Sequence, residues 1–358
     1  MPAGFHPLEI AEVRREIRDA VSLRFQVPDE LAEAFRYTPG QHITLRATID
    51  GEDVRRNYSI CTAPQDKELR VAIKRVAGGQ FSTWANTELT PGQMLDVMVP
   101  HGSFTWQFDP SASRQYAAFA GGSGITPILS LVKTALATEP DSRFVLLYGN
   151  RSSDSVMFLE EIAELKNYFM GRFQCFHFLE DEESSVELFN GRLDAEKIGE
   201  ILSSIVEPES IDVAFICGPG PMMDAAESGL LGAGVPEDKI LIERFTVGKM
   251  SAEQLQVARE LEQSAAGKPV VLTIDGRKRK ITFDPSKETI LENARAAGVP
   301  APYACKAGVC ATCRAKVRKG EVKMLQNYGL SPEEVEQGYV LTCQAVPVSD
   351  EVELDFDA

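Results

Sequence analysis

The sequence predicts a chain of several domains: an antiparallel β-barrel, then an α/β domain on a parallel sheet, then a smaller α+β domain. Three observations predict it. The chain has 358 residues, more than twice the roughly 150 that one domain usually takes. The hydropathy pattern changes kind along the chain, from short apolar–polar alternation over residues 6–108 to buried strands interleaved with helical runs over residues 115–243. Alternation marks half-buried strands, and strand–helix alternation marks a parallel sheet. Charge is also uneven: residues 112–247 hold 10 basic and 22 acidic residues, residues 269–358 hold 12 and 13, so the segments differ in surface as well as in pattern.

The first segment, residues 1–110, contains the runs AVSLRFQV, QHITLRATI, RRNYSIC, ELRVAIKRV and QMLDVMV, separated by turns at Pro39-Gly40, Asp50-Gly51 and Pro91-Gly92. That is the signature of an antiparallel barrel. Within it lie Arg56-Asn57-Tyr58-Ser59 and, some twenty residues on, Gly78-Gly79-Gln80-Phe81-Ser82 before the helical run STWANTEL. The first motif resembles the Arg-x-Tyr-Ser flavin-binding element of the ferredoxin–NADP reductase family. The resemblance implies FAD, with Arg56 on the pyrophosphate, Tyr58 against the isoalloxazine and the Ser59 hydroxyl at the flavin edge. Arginine suits a phosphate and an aromatic ring suits a flat heterocycle. Gly79 and Ser82 then serve the pyrophosphate at a helix N-terminus, where amides and dipole favour an anion.

The second segment, residues 111–247, opens with QYAAFAGGSGITPILSLVKTAL, read as strand, glycine-rich loop and helix. A glycine triplet by itself is weak evidence. Here it ends a buried strand and leads into a helix that the pattern starts at Pro127, a residue suited to a first helical position. The loop departs from the plain dinucleotide fingerprint because Pro127 stands where a third glycine would be, and Gly-x-Gly-x-x-Pro is the reductase family's version. The resemblance places Gly122, Gly124 and Thr126 on a dinucleotide, and Cys217-Gly218-Pro219 on its nicotinamide at a strand's C-terminal end. Arg151, followed by Ser152 and Ser153, follows the strand RFVLLYGN, which no acidic residue closes to hold a ribose diol. The expectation is therefore NADPH in preference to NADH. Glu243-Arg244-Phe245 ends the segment, and the family places a residue there that covers the flavin, with Phe245 the candidate. Cys217, Ser59 and Phe245 are thus the residues expected at the reacting atoms.

Residues 248–268, GKMSAEQLQVARELEQSAAGK, are polar and short of large apolar side chains, and read as a tether, helical in part. Residues 269–358 carry a hairpin, VVLTIDGRKRKITF, turning at Asp275-Gly276, and a helix, SKETILENARAAGV, with Ile290, Leu291 and Ala294 on one face. Four of the seven cysteines follow: Cys305, Cys310, Cys313 and Cys343, spaced Cys-x4-Cys-x2-Cys-x29-Cys. Three thiolates on one loop and a fourth from a distant strand is the plant-type [2Fe–2S] spacing. Structural zinc more often takes two separated Cys-x2-Cys knuckles, and only Cys310 and Cys313 form one. The segment resembles a β-grasp ferredoxin.

The order of segments resembles the reductase components of bacterial oxygenases. The runs RNYSIC, GGSGITPIL, ICGP, LERF and PYACKAGVCATC are similar, more narrowly, to the reductase subunits of phenylacetyl-CoA epoxidase (ring 1,2-epoxidase) systems. The resemblance implies electron flow from NADPH through FAD and [2Fe–2S] to a di-iron oxygenase or epoxidase partner in aerobic phenylacetate catabolism. A reductase for another ring dioxygenase or monooxygenase, or a non-catalytic iron–sulfur carrier or sensor, stays open on sequence alone. The net charge of −16 repels polyanions, which argues against nucleic acid. No run of about 18 apolar residues and no signal-type apolar core occur, so a cytoplasmic location with no membrane partner is expected. The four histidines show no metal spacing, and Glu180-Asp181-Glu182-Glu183 reads as a solvated loop.

Overall fold

A computed structural model of the protein describes residues 4–245 and 252–358. The chain divides into two compact units, Phe5–Val54 with Tyr58–Phe245, and a second made mainly of Thr246–Ala358.

The first unit begins with strands β1 (Phe5–Ile17), β2 (Ala20–Gln26), β3 (His42–Ile49), β4 (Glu52–Ser59) and β5 (Leu69–Lys74), helix α1 (Gln80–Thr87) and strand β6 (Met94–Met98). They form one six-stranded sheet in the order β4-β3-β6-β1-β2-β5. A bridge between Ile60 and Val71, and the Cys61 N–H to the Arg70 carbonyl at 3.0 Å, join its two ends into a barrel, which removes exposed edges. Strand β1 is the one the alternating runs do not announce. Leu8 and Ile10 are buried, but register shifts at Ile10/Glu12 and Arg15/Ile17 break the period of two, as bulges do. Helix α1 starts two residues before the run that predicted it and sets Phe81 and Ala85 into the barrel core.

The unit continues with β7 (Gln115–Gly121), α2 (Ile125–Thr138), β8 (Arg143–Asn150), α3 (Leu159–Tyr168), β9 (Phe173–Leu179), α4 (Ala195–Ser204), β10 (Val213–Cys217), α5 (Gly220–Gly232) and β11 (Ile240–Glu243). The sheet runs β11-β10-β7-β8-β9 with every pairing parallel. One face packs on α2 and α3 and the other on α4 and α5. Helix α4 has a readable start: the Asp194 carboxylate accepts the Lys197 N–H at 3.0 Å, an N-cap. Strand order reverses between β7 and β10, so their C-terminal ends flank the crevice where open α/β sheets bind ligands. The barrel packs directly on this sheet. The Ser130 hydroxyl donates to the Thr62 carbonyl at 2.6 Å, and Phe104 meets Phe215 edge-on at 5.9 Å.

The second unit holds α6 (Ala252–Ser264), β12 (Pro269–Ile274), β13 (Arg277–Thr282), α7 (Ile290–Ala296), β14 (Arg314–Lys319), β15 (Val322–Met324), α8 (Pro332–Glu336), β16 (Tyr339–Leu341), β17 (Ala345–Pro347) and β18 (Val352–Asp355). Its main sheet runs β13-β12-β18-β14-β16, with β12 and β18 the parallel pair; β15 and β17 pair separately. The β12–β13 turn has Asp275 at φ 50° and Gly276 at φ 69°, the conformation an Asp-Gly hairpin favours. Of the expected tether, residues 248–251 lie outside the described residues. Helix α6 takes up residues 252–264 of it, and Leu261 on the helix and Ala265 just after it pack into this unit's core, so that core starts upstream of residue 269. Among the described residues no helix is long and apolar enough to cross a membrane.

Candidate functional site

The four cysteines stand in two pairs. Cys305 and Cys310 share a sulfur hydrogen bond that pulls the Cys310 thiol down and pushes the Cys305 thiol up. Cys313 and Cys343 share another, which pushes Cys313 up and pulls Cys343 down. Among the described residues no three His, Cys, Asp or Glu side chains gather as a single-ion site. Four cysteines brought together in this way supply the all-cysteine donor set of a [2Fe–2S] cluster. The loop curls around this place at Lys306 (φ 57°), Gly308 (φ 73°) and Ala311 (φ 52°). The two non-glycine residues cost about 1–2 kcal/mol each in that conformation. A Cβ on Gly308 would lie 2.9 Å from Gln344 Cγ, and the Ala307 N–H donates to Cys305 Sγ at 3.3 Å. Gly329 matters equally and went unread in the sequence: its Cβ would sit 2.4 Å from the Val309 carbonyl oxygen. No local motif marks it, because the approach is between segments twenty residues apart.

Strand β4 and helix α1 bring the two flavin motifs together. The half-buried Tyr58 ring lies 5.7 Å from Phe81, tilted by 37°. Ser59 is buried, and its Oγ has no hydrogen-bond partner. A buried hydroxyl left unpaired is costly, and a polar ligand edge at this point satisfies it. Gly79 ends the turn before α1, while the Ser82 hydroxyl is used inside that turn, accepting the Val76 N–H at 3.1 Å and donating to the Gly79 carbonyl at 3.3 Å. An anion here therefore meets the first-turn amides of α1. Arg56 is exposed on β4, its guanidinium donating to the Arg55 carbonyl at 2.7 Å.

The glycine loop and the Cys217 turn face each other across the reversal point of the parallel sheet. A Cβ on Gly124 would lie 2.1 Å from the Cys217 carbonyl oxygen, and one on Gly121 2.5 Å from Pro219 Cδ. Only glycine allows this approach. Gly122 to Gly124 form a 3₁₀ turn and α2 begins at Ile125, so Pro127 occupies the third helical position, not the first. Its missing N–H is still among those a helix leaves unpaired. Thr126 is buried and donates to the Ser123 carbonyl at 3.0 Å. Tyr148 supports the loop from below through its hydroxyl to the Gly122 carbonyl at 3.0 Å, a role that the sequence does not signal. Cys217 is wholly buried beside Gly218 and Pro219, and burial together with the neighbouring Glu243 carboxylate pushes its thiol up. Phe245 is 39% exposed, too open for an ordinary core aromatic. Arg151 is exposed after β8. Next to it, the Ser153 N–H and hydroxyl both donate to Glu182, at 2.6 and 2.9 Å.

Family models match three stretches of the chain: an oxidoreductase FAD-binding domain over residues 7–106, an oxidoreductase NAD-binding domain over 119–228 and a 2Fe-2S iron-sulfur cluster binding domain over 272–348. The chain is 45% identical to a subunit of the 1,2-phenylacetyl-CoA epoxidase of Escherichia coli, over 99% of this chain and 98% of that one. It is 36% identical to the ferredoxin reductase component of 3-ketosteroid-9-alpha-monooxygenase of Rhodococcus rhodochrous, over 98% and 96%. Among solved structures, phthalate dioxygenase reductase matches with a TM-score of 0.58 at 22% identity, covering 99% of this chain and 98% of that one, a likeness of fold. With FAD-, NAD- and [2Fe–2S]-binding domains in one chain, the protein is an oxidoreductase and belongs to the ferredoxin–NADP reductase family.

Proposed function

We propose that the protein is the NADPH-dependent reductase that passes electrons through FAD and [2Fe–2S] to the di-iron epoxidase of phenylacetyl-CoA in aerobic phenylacetate catabolism, in the cytoplasm. The observation that carries the reading is the meeting of motif sets at one crevice: the glycine loop on the Cys217 turn, with the unpaired Ser59 hydroxyl on the barrel that packs against the same sheet. The full-length 45% identity favours the epoxidase as acceptor over the other oxygenases that related reductases serve.

Bound FAD would supply the conversion between two-electron hydride chemistry and single-electron transfer that a cluster carrying one electron at a time needs. The chain's own residues bind and orient. Tyr58 and Ser59 hold the isoalloxazine, Arg56, Gly79 and the α1 amides near Ser82 the pyrophosphate. Gly122, Gly124 and Thr126 hold the dinucleotide, Cys217, Gly218 and Pro219 the nicotinamide, Arg151 the 2′-phosphate, and Phe245 covers the flavin. Cys305, Cys310, Cys313 and Cys343 ligate the cluster. The functional domains are residues 1–110, 111–247 and 269–358, and helix α6 of the stretch 248–268 packs on the last of them.

Anaerobic titration with NADPH tests the electron path: flavin and cluster absorbance both bleach. Absent flavin bands, or bands that NADPH leaves unchanged, overturn it. Reconstitution with purified epoxidase and phenylacetyl-CoA tests the partner, and turnover no faster than with an unrelated ring dioxygenase overturns that assignment.

A further inference from the structure

The fourth cysteine meets the loop of the other three between two clamps. Thr342, just before Cys343, is wholly buried, and its N–H and hydroxyl both donate to the Cys313 carbonyl, at 3.1 and 2.9 Å. Gln344, just after Cys343, is half-buried, and its Nε2 donates to the Lys306 carbonyl at 3.1 Å. The two neighbours of one ligand thus grip the two ends of the stretch that carries the other three. The backbone of Gln344 is itself held: its N–H donates to the Leu341 carbonyl at 2.9 Å, and its carbonyl accepts the Leu325 N–H at 2.8 Å. Its side chain lies across the loop, where a Cβ on residue 308 would stand 2.9 Å from Gln344 Cγ, so Gly308 leaves room for it.

What Gln344 grips is the strained end of the loop. Lys306 has φ 57°, and a side-chain-bearing residue keeps that conformation only where its surroundings hold it. Two contacts do so: the Lys306 ammonium pairs with Glu292 at 2.8 Å, and its carbonyl takes one of the two amide protons that a glutamine offers. The Gln344 carboxamide also reaches Cys343 Sγ, as the Gly308 N–H does. The other sulfur contacts come from inside the loop, with the Ala307 N–H on Cys305 at 3.3 Å and the Thr312 hydroxyl 3.1 Å from Cys310 Sγ. Gln344 stands between β16 and β17 instead. One carboxamide therefore joins a ligand sulfur to the turn that follows another ligand.

Charge decides what such a contact does. An iron–sulfur cluster that accepts an electron becomes more negative by one unit, and hydrogen-bond donors on its sulfurs favour the more negative state, which raises the potential. We propose that Gln344 is a positioning residue for the cluster, holding the Lys306 turn and the Cys343 sulfur with one carboxamide, and that it raises the cluster's midpoint potential towards that of the flavin that reduces it. In the step it favours, one electron leaves reduced flavin and arrives on the cluster; no bond to Gln344 forms or breaks, and its oxidation state is unchanged. The inference rests on the assignment of the cluster to the four cysteines.

The test uses full-length holoprotein, wild type and two variants: Gln344→Met, which keeps the length of the side chain and its place over Gly308 but has no donor, and Gln344→Glu, which puts a negative charge there. Iron and sulfide analysis reports loading. A redox titration followed by EPR then gives the midpoint potential of each loaded cluster. The expected result is that Gln344→Met lowers the reduced fraction of the cluster at fixed potential about tenfold, a fall of about 59 mV for one electron, and that Gln344→Glu lowers it further. A midpoint potential equal to that of the wild type in either loaded variant overturns the proposal. A second measurement needs no variant: pulsed EPR of the reduced wild-type protein, grown with glutamine labelled with ¹⁵N in its side-chain amide, should show a ¹⁵N coupling to the cluster, and no coupling overturns the proposal even if both variants fail to load. Wild-type protein that binds no iron and sulfide overturns the cluster assignment instead, and the loading analysis separates the two failures.

Discussion

Ser59 carries a hydroxyl that is buried and unpaired in the chain alone, and that fixes the sign of a substitution. Removing an unsatisfied buried group relieves a cost, while removing a hydrogen bond to a ligand loses about 1 kcal/mol. Ser59→Ala should therefore leave flavin-free protein as stable or slightly more stable by thermal melt, and weaken flavin binding about fivefold by fluorescence titration; equal weakening of the flavin-free protein contradicts the assignment. Beside Arg151, Glu182 already accepts both donors of Ser153, and a 2′-phosphate would compete with that carboxylate. Glu182→Gln removes a like charge worth about 1 kcal/mol at a surface. KM for NADPH should fall about fivefold with KM for NADH unmoved, and Arg151→Ala should raise KM for NADPH. Two residues of this neighbourhood were legible to different degrees. Arg151 stands out as the cation after a strand, but its carboxylate competitor comes from a run thirty residues on that reads only as a solvated loop.

At the scale of elements, what could be read follows from how local the cause is. The cysteine spacing was legible because ligand chemistry dictates it, and the glycine loop because a strand, a turn and a helix N-terminus lie in one short stretch. Strand β1 was not, because its bulges break the alternation on which strand reading depends,. Gln344 on Lys306, Tyr148 under Gly122, and Gly329 against Val309 join residues far apart in sequence, and no periodicity encodes such pairs. The loop after β7 makes a test of its own. The Gly124 Cβ position is 2.1 Å from one backbone atom of the Cys217 turn and 2.4 Å from another, and backbone gives way less easily than a flexible side chain. Gly124→Ala should cost about 1–3 kcal/mol and slow reduction by NADPH at least tenfold, while flavin and cluster absorbance remain; reduction at the wild-type rate would show that the loop and turn need not touch.

For the molecule as a whole, burial of neutral ionisable groups sets a pH window of stability. His42 and His177 are pushed down from 6.5 by burial. The unfolded chain then binds protons more readily than the folded one as pH falls below about 6.5, so their contribution is present above that value and lost towards the lower folded values. Cys61 and Cys217 are pushed up from 9.0 by burial, and Cys175 to about 12. Their contribution is present below the unfolded thiol value and lost as pH rises past it. Urea midpoints in reducing buffer should form a plateau between these limits and fall on both sides, and His42→Gln should flatten the acid limb; a midpoint that keeps rising below pH 6 contradicts the burial of both histidines.

The second unit's sheet has its last strand in the middle: β18 lies between β12 and β14, paired in parallel with the first strand of that sheet. Until β18 inserts, the β12–β13 hairpin and the β14–β16 pair are two fragments without a shared core, and a pairing that closes so long a loop is slow to form. The loop with Cys305, Cys310 and Cys313 precedes β14, and Cys343 follows β16, so both thiol pairs belong to the half that waits for that closure. The cysteines are joined by the β14–β16 pair itself, where the Thr342 N–H and hydroxyl both donate to the Cys313 carbonyl at 3.1 and 2.9 Å. In an unfolded chain they are separate thiols open to oxidation, and the pairing of two neighbouring strands is what makes them one ligand set.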